Sequence, residues 1–313
     1  MRWVFAACLM ASTATASEDI ADQYPGSPLY QKPVEVIPHV WSAIGATAPP
    51  TYENTGHNNN LSFLVTGDGV VVINGGAAYV LADALHEEIK AITDQPVKLV
   101  INENGQGHAM LGNSYWAEQG VPILAHVDAA EEFAEYGAQI LENMKRYNRD
   151  KAEGTTLAEP TMTFEDAYTV EMGDMRIEVL YLGPAHSPGD ISVWLPQERL
   201  VIAGDMAFHE RLLPIFDHTY TADWLETWET AFEALEATYV IPGHGHPTNM
   251  AQVRRYTRDY LIWLRARIAE HLENGGELKD AYYVDQSPFS HLDTFEELAT
   301  RNAGRVFEQM EFE

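Results

Sequence analysis

The sequence predicts an α/β fold in which mixed sheets are covered by helices, and two observations support this. Runs of β-branched residues alternate with segments of helical periodicity, and the alternation restarts in the second half of the chain. No Pro/Ser-rich linker separates the two halves, so we expect them to form one compact domain. Apolar residues make up 46% of the 313 residues, which is enough for a substantial core and excludes a disordered chain.

A β-hairpin is predicted near the start of this domain. Residues 62–74 contain two β-rich runs on either side of Gly67-Asp68-Gly69, a typical turn sequence. Leu81, Leu85 and Ile89 then recur at helical spacing. The other elements predicted in the first half are a helix over 78–93, strands over 97–102 and 122–126, a Gly-rich loop ending at Gly112, and a helix starting near Asp128.

The second half repeats the alternation of strands and helices. Its predicted elements are strands over 175–182, 191–195, 199–203 and 239–241, and helices over 225–235 and 253–272. We therefore expect a main domain over residues 34–272, preceded by a polar N-terminal arm over 17–33. Residues 273–313 are predicted to form a helical C-terminal extension.

The N-terminal residues have the pattern of a secretory signal peptide. Arg2 precedes an apolar run over 3–11, and small residues then end in Ala14-Thr15-Ala16. We predict that residues 1–16 are the signal peptide and that the protein is periplasmic or secreted. A lipid anchor on Cys8, the only cysteine, is the less favoured alternative, because that cysteine lies very close to Met1.

The charge balance excludes several classes of partner. The chain has 47 acidic and 19 basic side chains and a formal net charge of −28. Nucleic-acid binding needs a surplus of Lys and Arg, and anionic membrane surfaces repel an acidic protein. After the signal region no apolar stretch approaches the ~20 residues of a membrane span. We expect a small molecule as the partner, while the oligomeric state stays open.

Four chemically informative residues each follow a predicted strand. They are His108, His186, Asp205 and His244. Loops that leave the same end of a sheet bring their side chains together, and α/β enzymes build their sites there. Each residue alone has an ordinary structural explanation. Four in equivalent places favour a metal site.

The segments around these residues resemble the motifs of the metallo-β-lactamase-fold hydrolases. The matching segments, in family order between about residues 36 and 267, are Asn74-Gly75-Gly76, Leu111-Gly112-Asn113, Gly183-Pro-Ala-His-Ser-Pro-Gly-Asp190, Ile202-Ala-Gly-Asp205 and Ile241-Pro-Gly-His-Gly245. The resemblance implies a four-layer αββα sandwich with a metal site at one edge of the sheets. Leu213-Pro-Ile-Phe-Asp217 and Tyr256-Thr-Arg-Asp-Tyr260 are more weakly similar to exported members associated with sulfur-oxidation and quinoprotein systems.

The chain departs from the family's main motif, His-x-His-x-Asp-His. Counting back from Leu111, the four motif positions are occupied by Asn104, Gln106, His108 and Ala109. At the position after the hairpin where the family usually has an Asp, this chain has Asn74. Neutral amides are poor zinc ligands and alanine is none, so we do not expect a normal two-metal centre.

The resemblance still implies one complete metal position. Its ligands correspond to His108, Asp205 and His244, with His186 either a fourth ligand or facing a substrate. Two histidines and one carboxylate suit one divalent metal, with zinc expected and iron as the alternative. Asn104 and Gln106 are predicted to steady the oxyanion or orient water, and His186 to transfer a proton.

Three further residues are predicted to contact substrate. His57 and Asn60 lie on the loop that enters the hairpin, and His246 follows His244 by two residues. Together these features predict an exported, single-metal hydrolase acting on an ester, thioester or amide-type small molecule. The alternatives are a non-catalytic binding protein of the same fold and a mononuclear iron redox enzyme.

Overall fold

Two β-sheets lie face to face in the computed structural model, and helices cover the outer surface of each sheet. The structure describes residues 23–313, so the predicted signal peptide over 1–16 lies outside the described residues. The predicted arm over 17–33 is described from residue 23 onward. The four-layer arrangement of helices, sheet, sheet and helices confirms the predicted αββα architecture.

Twelve strands form the two sheets of the described chain. The first sheet contains β1 Val34–Ile37, β2 Val40–Ala43, β3 Leu61–Val65, β4 Val70–Ile73, β5 Val97–Ile101, β6 Ile123–His126 and β7 Met162–Phe164. The second contains β8 Ala167–Met172, β9 Met175–Leu180, β10 Ser192–Leu195, β11 Leu200–Phe208 and β12 Tyr239–His244. The first sheet follows chain order, antiparallel from β1 to β4 and parallel from β4 to β7. The second has the order β12-β11-β10-β9-β8, and its β11–β12 pair is parallel.

Nine α-helices cover the sheets over residues 23–313. They are α1 Tyr79–Ile92, α2 Gly107–Met110, α3 Asn113–Glu118, α4 Val127–Asn148, α5 Thr221–Thr227, α6 Met250–Tyr256, α7 Arg258–Glu273, α8 Leu278–Ala281 and α9 Phe295–Met310. None of the helices described is both long enough and apolar enough to cross a bilayer.

The alternation of side chains along each strand explains the layers. Val71 and Ile73 of β4 pack between the two sheets, whereas Val70 and Val72 pack against α1 on the outer side. All four residues are therefore buried, which is why this strand is continuously apolar. The outer side of the second sheet is covered by α5, α6, α7 and α9.

Several elements differ from the sequence-based expectation. Asp205 was expected on a loop, but β11 continues to Phe208 because it pairs with β12 well beyond Ala203. The predicted helix over 225–235 is α5 followed by a π-helical and a 3-10 turn. The helix predicted over 253–272 is broken at Thr257, whose Oγ1 accepts from the Phe208 N–H and donates to the Phe208 carbonyl.

The C-terminal extension is helical and packs onto the domain. In α9, the Asn302 side chain accepts from Ile215 N and donates to the Leu213 carbonyl and to Tyr260 Oη, at 2.8–2.9 Å. Ala303, Val306 and Phe307 belong to the same apolar cluster as the helices over the second sheet. The extension therefore forms part of the hydrophobic core.

Candidate metal centre

The predicted ligands converge at one edge of the two sheets. His108 lies in α2, just after β5, Asp205 lies inside β11, and His244 is the last residue of β12. Gly243 permits this approach, because a Cβ there would come within 2.5 Å of Asp205 Oδ1. Side chains far apart in sequence thus meet because parallel strands carry them to the same edge.

His108, Asp205 and His244 form a group that could hold a metal ion, with one ligand atom from each lying within 4.8 Å of the others. Nε2 of His244 is 3.2 Å from Asp205 Oδ1, and Nε2 of His108 is 3.7 Å from Asp205 Oδ2. The other ring nitrogen of His244 contacts the Asn58 carbonyl, which leaves Nε2 facing Asp205.

The donor set fits a divalent ion. Asp205 Oδ1 is buried and has no hydrogen-bond partner within the described residues, which is costly unless a cation balances it. Two imidazoles with one carboxylate are suitable ligands for zinc and for iron. These three residues would therefore hold the metal.

The lowered pKa of Asp205 favours its ionised form, which can bind a cation. Burial alone would raise its pKa, but His244 and His108 outweigh this effect and hold the pKa of the carboxyl below its usual range. Burial lowers the pKa of His244 to about 4, so its imidazole is neutral near pH 7. Burial also acts to lower the pKa of His108, but Asp205 and Glu103 overcome it and raise that pKa.

Glu103 is a buried acid that sequence reasoning missed. Its Oε1 lies 3.1 Å from His108 Nε2, and its backbone N–H donates to Asn74 Oδ1 at 3.0 Å. Burial raises the pKa of the Glu103 carboxyl. An acid directly before the altered motif was the available signal. Glu103 orients His108, and Asn74 orders the loop that carries both residues.

Asn104 and Gln106, which occupy two of the altered motif positions, hydrogen-bond to side chains around the candidate ligands. Asn104 Nδ2 donates to Asp190 Oδ1 at 3.1 Å and to Asp205 Oδ2 at 3.2 Å. Gln106 Nε2 lies 3.0 Å from His186 Nδ1. Asp190, whose role was not predicted, is buried, and burial together with Asp205 raises its pKa well above the usual range. Asn104 and Gln106 thus form hydrogen bonds at positions where the sequence resemblance implies metal ligands.

His186 lies beside this group but is not one of its three members. Its Nδ1 is 3.4 Å from Asp205 Oδ2, and its ring packs against Phe216 and Trp224. Burial lowers its pKa to about 3, so the ring is neutral at pH 7. Nε2 of His186 is buried and lacks a hydrogen-bond partner within the described residues.

A cavity of about 450 Å³ opens onto the group. His108, Asp205, His244, His186 and Gln106 line it. Its remaining lining includes Pro49, Ile140, Arg211, Pro214, Phe216, Leu298 and Arg301. This size suits a small-molecule ligand.

The three predicted substrate contacts lie around the cavity, not in its lining. His57 is fully buried, and its Nδ1 accepts from the Tyr30 N–H at 2.8 Å. Asn60 Nδ2 donates to the carbonyls of Pro242 and Gly245, so this side chain holds the segment that carries His244. The exposed His246 pairs with Glu210 at 2.7 Å. Their contact with a substrate stays a prediction.

Comparison with known proteins shows which family the segment that carries this geometry resembles. A model described as the metallo-beta-lactamase superfamily matches residues 108–244, a span bounded by two of the three ligands. Over this span the chain is similar to a metallo-β-lactamase superfamily domain.

Relatives show similar sequences, and solved structures show a similar fold. A "Metallo-beta-lactamase type 2" from Bacteroides fragilis is 27% identical over 194 residues, covering 58% of this chain and 70% of that protein. "Acyl-coenzyme A thioesterase MBLAC2" from Homo sapiens is 23% identical over 106 residues, 33% of this chain and only 38% of that protein. A metallo-beta-lactamase structure from Pontibacter korlensis aligns with a TM-score of 0.58 at 20% identity, covering 71% of this chain and 94% of that one. The DIM-1 metallo-beta-lactamase exposed to ceftazidime aligns with a TM-score of 0.57 at 15% identity, covering 72% and 93%.

The structure brings one group of candidate ligands together, and it places amide side chains beside that group. His108, Asp205 and His244 face one another, whereas Asn104 and Gln106 are engaged with Asp205 and His186. The fold is therefore similar to that of the metallo-β-lactamases, while amide side chains lie beside the candidate ligands.

Proposed function

We propose that this protein is an exported hydrolase that uses one divalent metal, zinc in the first place, to cleave an ester, thioester or amide bond in a small molecule. The observation that carries the proposal is the group of the half-buried His108 with the buried Asp205 and His244 beside a ligand-sized cavity. When bound there, the metal would supply Lewis acidity and a water of lowered pKa.

The chain's own residues orient this chemistry. The Asn58 carbonyl contacts Nδ1 of His244 and so holds Nε2 of that ring towards Asp205 before a metal arrives. Glu103 contacts Nε2 of His108, the nitrogen that faces Asp205, so this carboxyl would lie beside a bound metal. Asn104 donates to Asp205 Oδ2, the oxygen other than the one that faces His244. The amide of Gln106 is at the cavity wall, where an amide donor can stabilise a developing oxyanion.

His186 contributes a neutral ring at the same wall. With Gln106 Nε2 donating to Nδ1, the neutral imidazole carries its proton on Nε2. That N–H could donate a hydrogen bond to the leaving group, whereas transfer of the proton would leave an imidazolate, so proton transfer by His186 would require the ring to be protonated first. The apolar residues of the cavity exclude bulk water from the reacting bond.

The names of the relatives direct the choice of substrates to test. One is named a lactamase and another an acyl-coenzyme A thioesterase. We therefore expect turnover in a panel of lactam, thioester and simple ester substrates by protein supplied with zinc.

The decisive experiment combines metal analysis with turnover in wild type and Asp205→Ala. We expect about one equivalent of metal and hydrolysis of one substrate class in wild type, and loss of both in the variant. Asp174→Ala is the control, because Asp174 is exposed in the turn between β8 and β9 and does not line the cavity. Hydrolysis that persists in Asp205→Ala contradicts a metal mechanism.

The same experiment separates two other functions. Because two histidines and one carboxylate also suit mononuclear iron, retention of iron with oxygen consumption supports a redox enzyme. A protein that retains no metal after zinc or iron supplementation supports a non-catalytic binding protein. Export is tested separately by sequencing the N-terminus of the secreted or periplasmic protein, which we expect to begin at Ser17.

A further inference from the structure

Glu103 is a buried acid beside the candidate ligands, and the three-residue group does not include it. It follows shortly after β5, and only 2% of the residue is exposed. Both polar atoms of its backbone are held. The N–H donates to Asn74 Oδ1 at 3.0 Å, and the carbonyl accepts from the Ile191 N–H at 2.9 Å. Segments of both sheets therefore fix the point from which the Glu103 side chain enters the site.

The fold leaves room for the Glu103 carboxyl next to the ligand Asp205. One oxygen, Oε1, lies 3.1 Å from Nε2 of His108. The other, Oε2, packs against Gly204, where a Cβ would come within 2.7 Å of it. Gly204 also has φ +60°, a conformation that glycine adopts without strain. A glycine directly before Asp205 thus makes space for a second carboxyl.

Two carboxyl groups face the same nitrogen of His108. Nε2 is 3.1 Å from Glu103 Oε1 and 3.7 Å from Asp205 Oδ2. An imidazole nitrogen carries at most one N–H, so it satisfies one of these oxygens at a time. Asp205 Oδ1 is buried and has no hydrogen-bond partner within residues 23–313. A cation at this point would give both carboxyl groups a partner.

The distances between donor atoms suit ligands of one ion. With bonds of about 2.0–2.2 Å, neighbouring ligand atoms lie about 2.8–3.6 Å apart, depending on the angle between the bonds. The Glu103 Oε1–His108 Nε2 distance of 3.1 Å falls in this range, as does the Asp205 Oδ1–His244 Nε2 distance of 3.2 Å. Each carboxyl is thus spaced from one histidine as adjacent ligands are.

Metal binding at His108 would release the Glu103 carboxyl. In the structure Glu103 lies outside the residues whose ligand atoms are all within 4.8 Å, because Oε1 is turned towards His108. A metal on Nε2 takes the place of the proton that this nitrogen shares with Glu103. The buried carboxyl then loses that hydrogen bond, which is costly unless another partner replaces it.

We propose that Glu103 is a fourth protein ligand of the metal, and that it exchanges its contact with His108 for the ion. The inference rests on the proposed function for the presence of that ion. The described lining of the cavity contains His108, Asp205 and His244 but not Glu103. Glu103 would therefore bind from the protein side and leave the cavity side open to water and substrate. Two imidazoles and two carboxylates suit manganese and iron as well as zinc.

The test measures the metal affinity of the full chain by competition with a chromophoric chelator, with Zn(II) and Mn(II) as probes. In Glu103→Gln the amide oxygen can still accept from His108, so a residue that only orients the ring would keep its role. A neutral amide is a poor ligand, so a metal-binding role would be lost. Glu103→Asp keeps a carboxylate.

Glu132→Gln is the matched control for a change of charge near the site. Glu132 is a half-buried carboxyl of α4 whose charge interacts with His108 through space. Its ion pair is with His218 and not with a candidate ligand. Equal effects of Glu132→Gln and Glu103→Gln would therefore indicate a general electrostatic effect.

We expect Glu103→Gln to weaken zinc binding by more than about 100-fold, beyond the roughly 10–100-fold typical of a residue that only orients a ligand. Manganese affinity should fall by a larger factor than zinc affinity, because manganese prefers carboxylate oxygen. Glu103→Asp should recover part of the lost affinity, and Glu132→Gln should bind both metals as wild type does.

Cobalt(II) gives a second readout that does not depend on affinity. Four protein ligands and one water on the cavity side make cobalt five-coordinate, which absorbs weakly in the visible range. Loss of one ligand leaves a four-coordinate ion, which absorbs strongly. We expect the absorbance per bound cobalt to be weak in wild type and Glu132→Gln, and to rise in Glu103→Gln. The wild-type spectrum tests the assignment even without a folded variant.

Three outcomes overturn the assignment: zinc affinity of Glu103→Gln within a few-fold of wild type, an equal loss in Glu132→Gln, or strong four-coordinate cobalt absorbance in wild type. If metal binding depends on Glu103 but no substrate is turned over, the hydrolase proposal fails and the ligand assignment stands. If Glu103→Gln binds metal and hydrolyses substrate as wild type does, the ligand assignment fails and the hydrolase proposal stands. A wild type that binds no metal overturns both.

Discussion

Substitution of Asn104 by Asp tests the hydrogen-bond network that replaces the missing metal ligands. The change keeps the shape of the side chain but removes the Nδ2 donor that contacts both Asp190 and Asp205. Asn104 is completely buried, so water cannot replace the lost donor. In the variant, a carboxylate oxygen would replace the amide donor and would face the carboxyl groups of Asp190 and Asp205.

The size of the effect follows from these two contacts. Losing a hydrogen bond to an ionised group costs about 1.5–3 kcal/mol, and losing one to a neutral group costs about 1 kcal/mol. Asp205 is ionised, whereas the raised pKa of Asp190 favours its neutral form. We therefore expect metal-free Asn104→Asp to lose about 2.5–4 kcal/mol of unfolding free energy at pH 7.5, before any repulsion is added.

The assay is equilibrium urea unfolding of metal-free protein, followed by circular dichroism. Asn143→Asp is the matched control, because Asn143 is exposed and should change the unfolding free energy by less than about 0.5 kcal/mol. Added zinc should recover part of the stability of Asn104→Asp, since the new carboxylate could join the ligands. A loss below about 1 kcal/mol in the metal-free variant would refute the argument that Asn104 bridges two buried carboxylates.

Three further predictions concern the metal group, a buried histidine and the C-terminal extension. Zinc at about 100 times its dissociation constant should stabilise wild type by about 2.7 kcal/mol, measured as a rise in Tm. Asp205→Asn should lose most of that rise. An equal rise in both proteins would show that the metal binds elsewhere. Burial lowers the pKa of His57 to about 3, so the unfolded state binds more protons between pH 3 and 6.5, and stability falls as the pH drops through that window. His57→Gln should therefore lose about 2 kcal/mol less than wild type between pH 7 and pH 5 in urea unfolding, and parallel pH profiles would contradict this. Asn302→Ala should cost about 2–4 kcal/mol because three buried partners lose their contacts, whereas the exposed Asn274→Ala should be nearly neutral; equal effects would mean that α9 is held by its apolar face alone.

The sequence was sufficient for elements whose cause is local. The hairpin is present as β3 and β4 because a Gly-Asp-Gly turn joins two β-rich runs, and α1 lies within one residue of its predicted limits because Leu81, Leu85 and Ile89 form one apolar face. The order of the motifs along the chain also predicts that His108, Asp205 and His244 belong to one metal site. These inferences depend on spacing, which a single chain displays directly.

Only the tertiary structure decided how the site is completed. Asp205 belongs to a strand because β12 pairs with that segment from more than thirty residues away. Glu103 and Asp190 have ordinary sequence surroundings, and their importance comes from burial beside charged groups. Partners separated by many residues determine desolvation and charge balance, and sequence spacing does not encode those distances. The sequence also predicted that the C-terminal extension is helical. Only the fold shows that Glu297, Leu298 and Arg301 of this extension line the cavity.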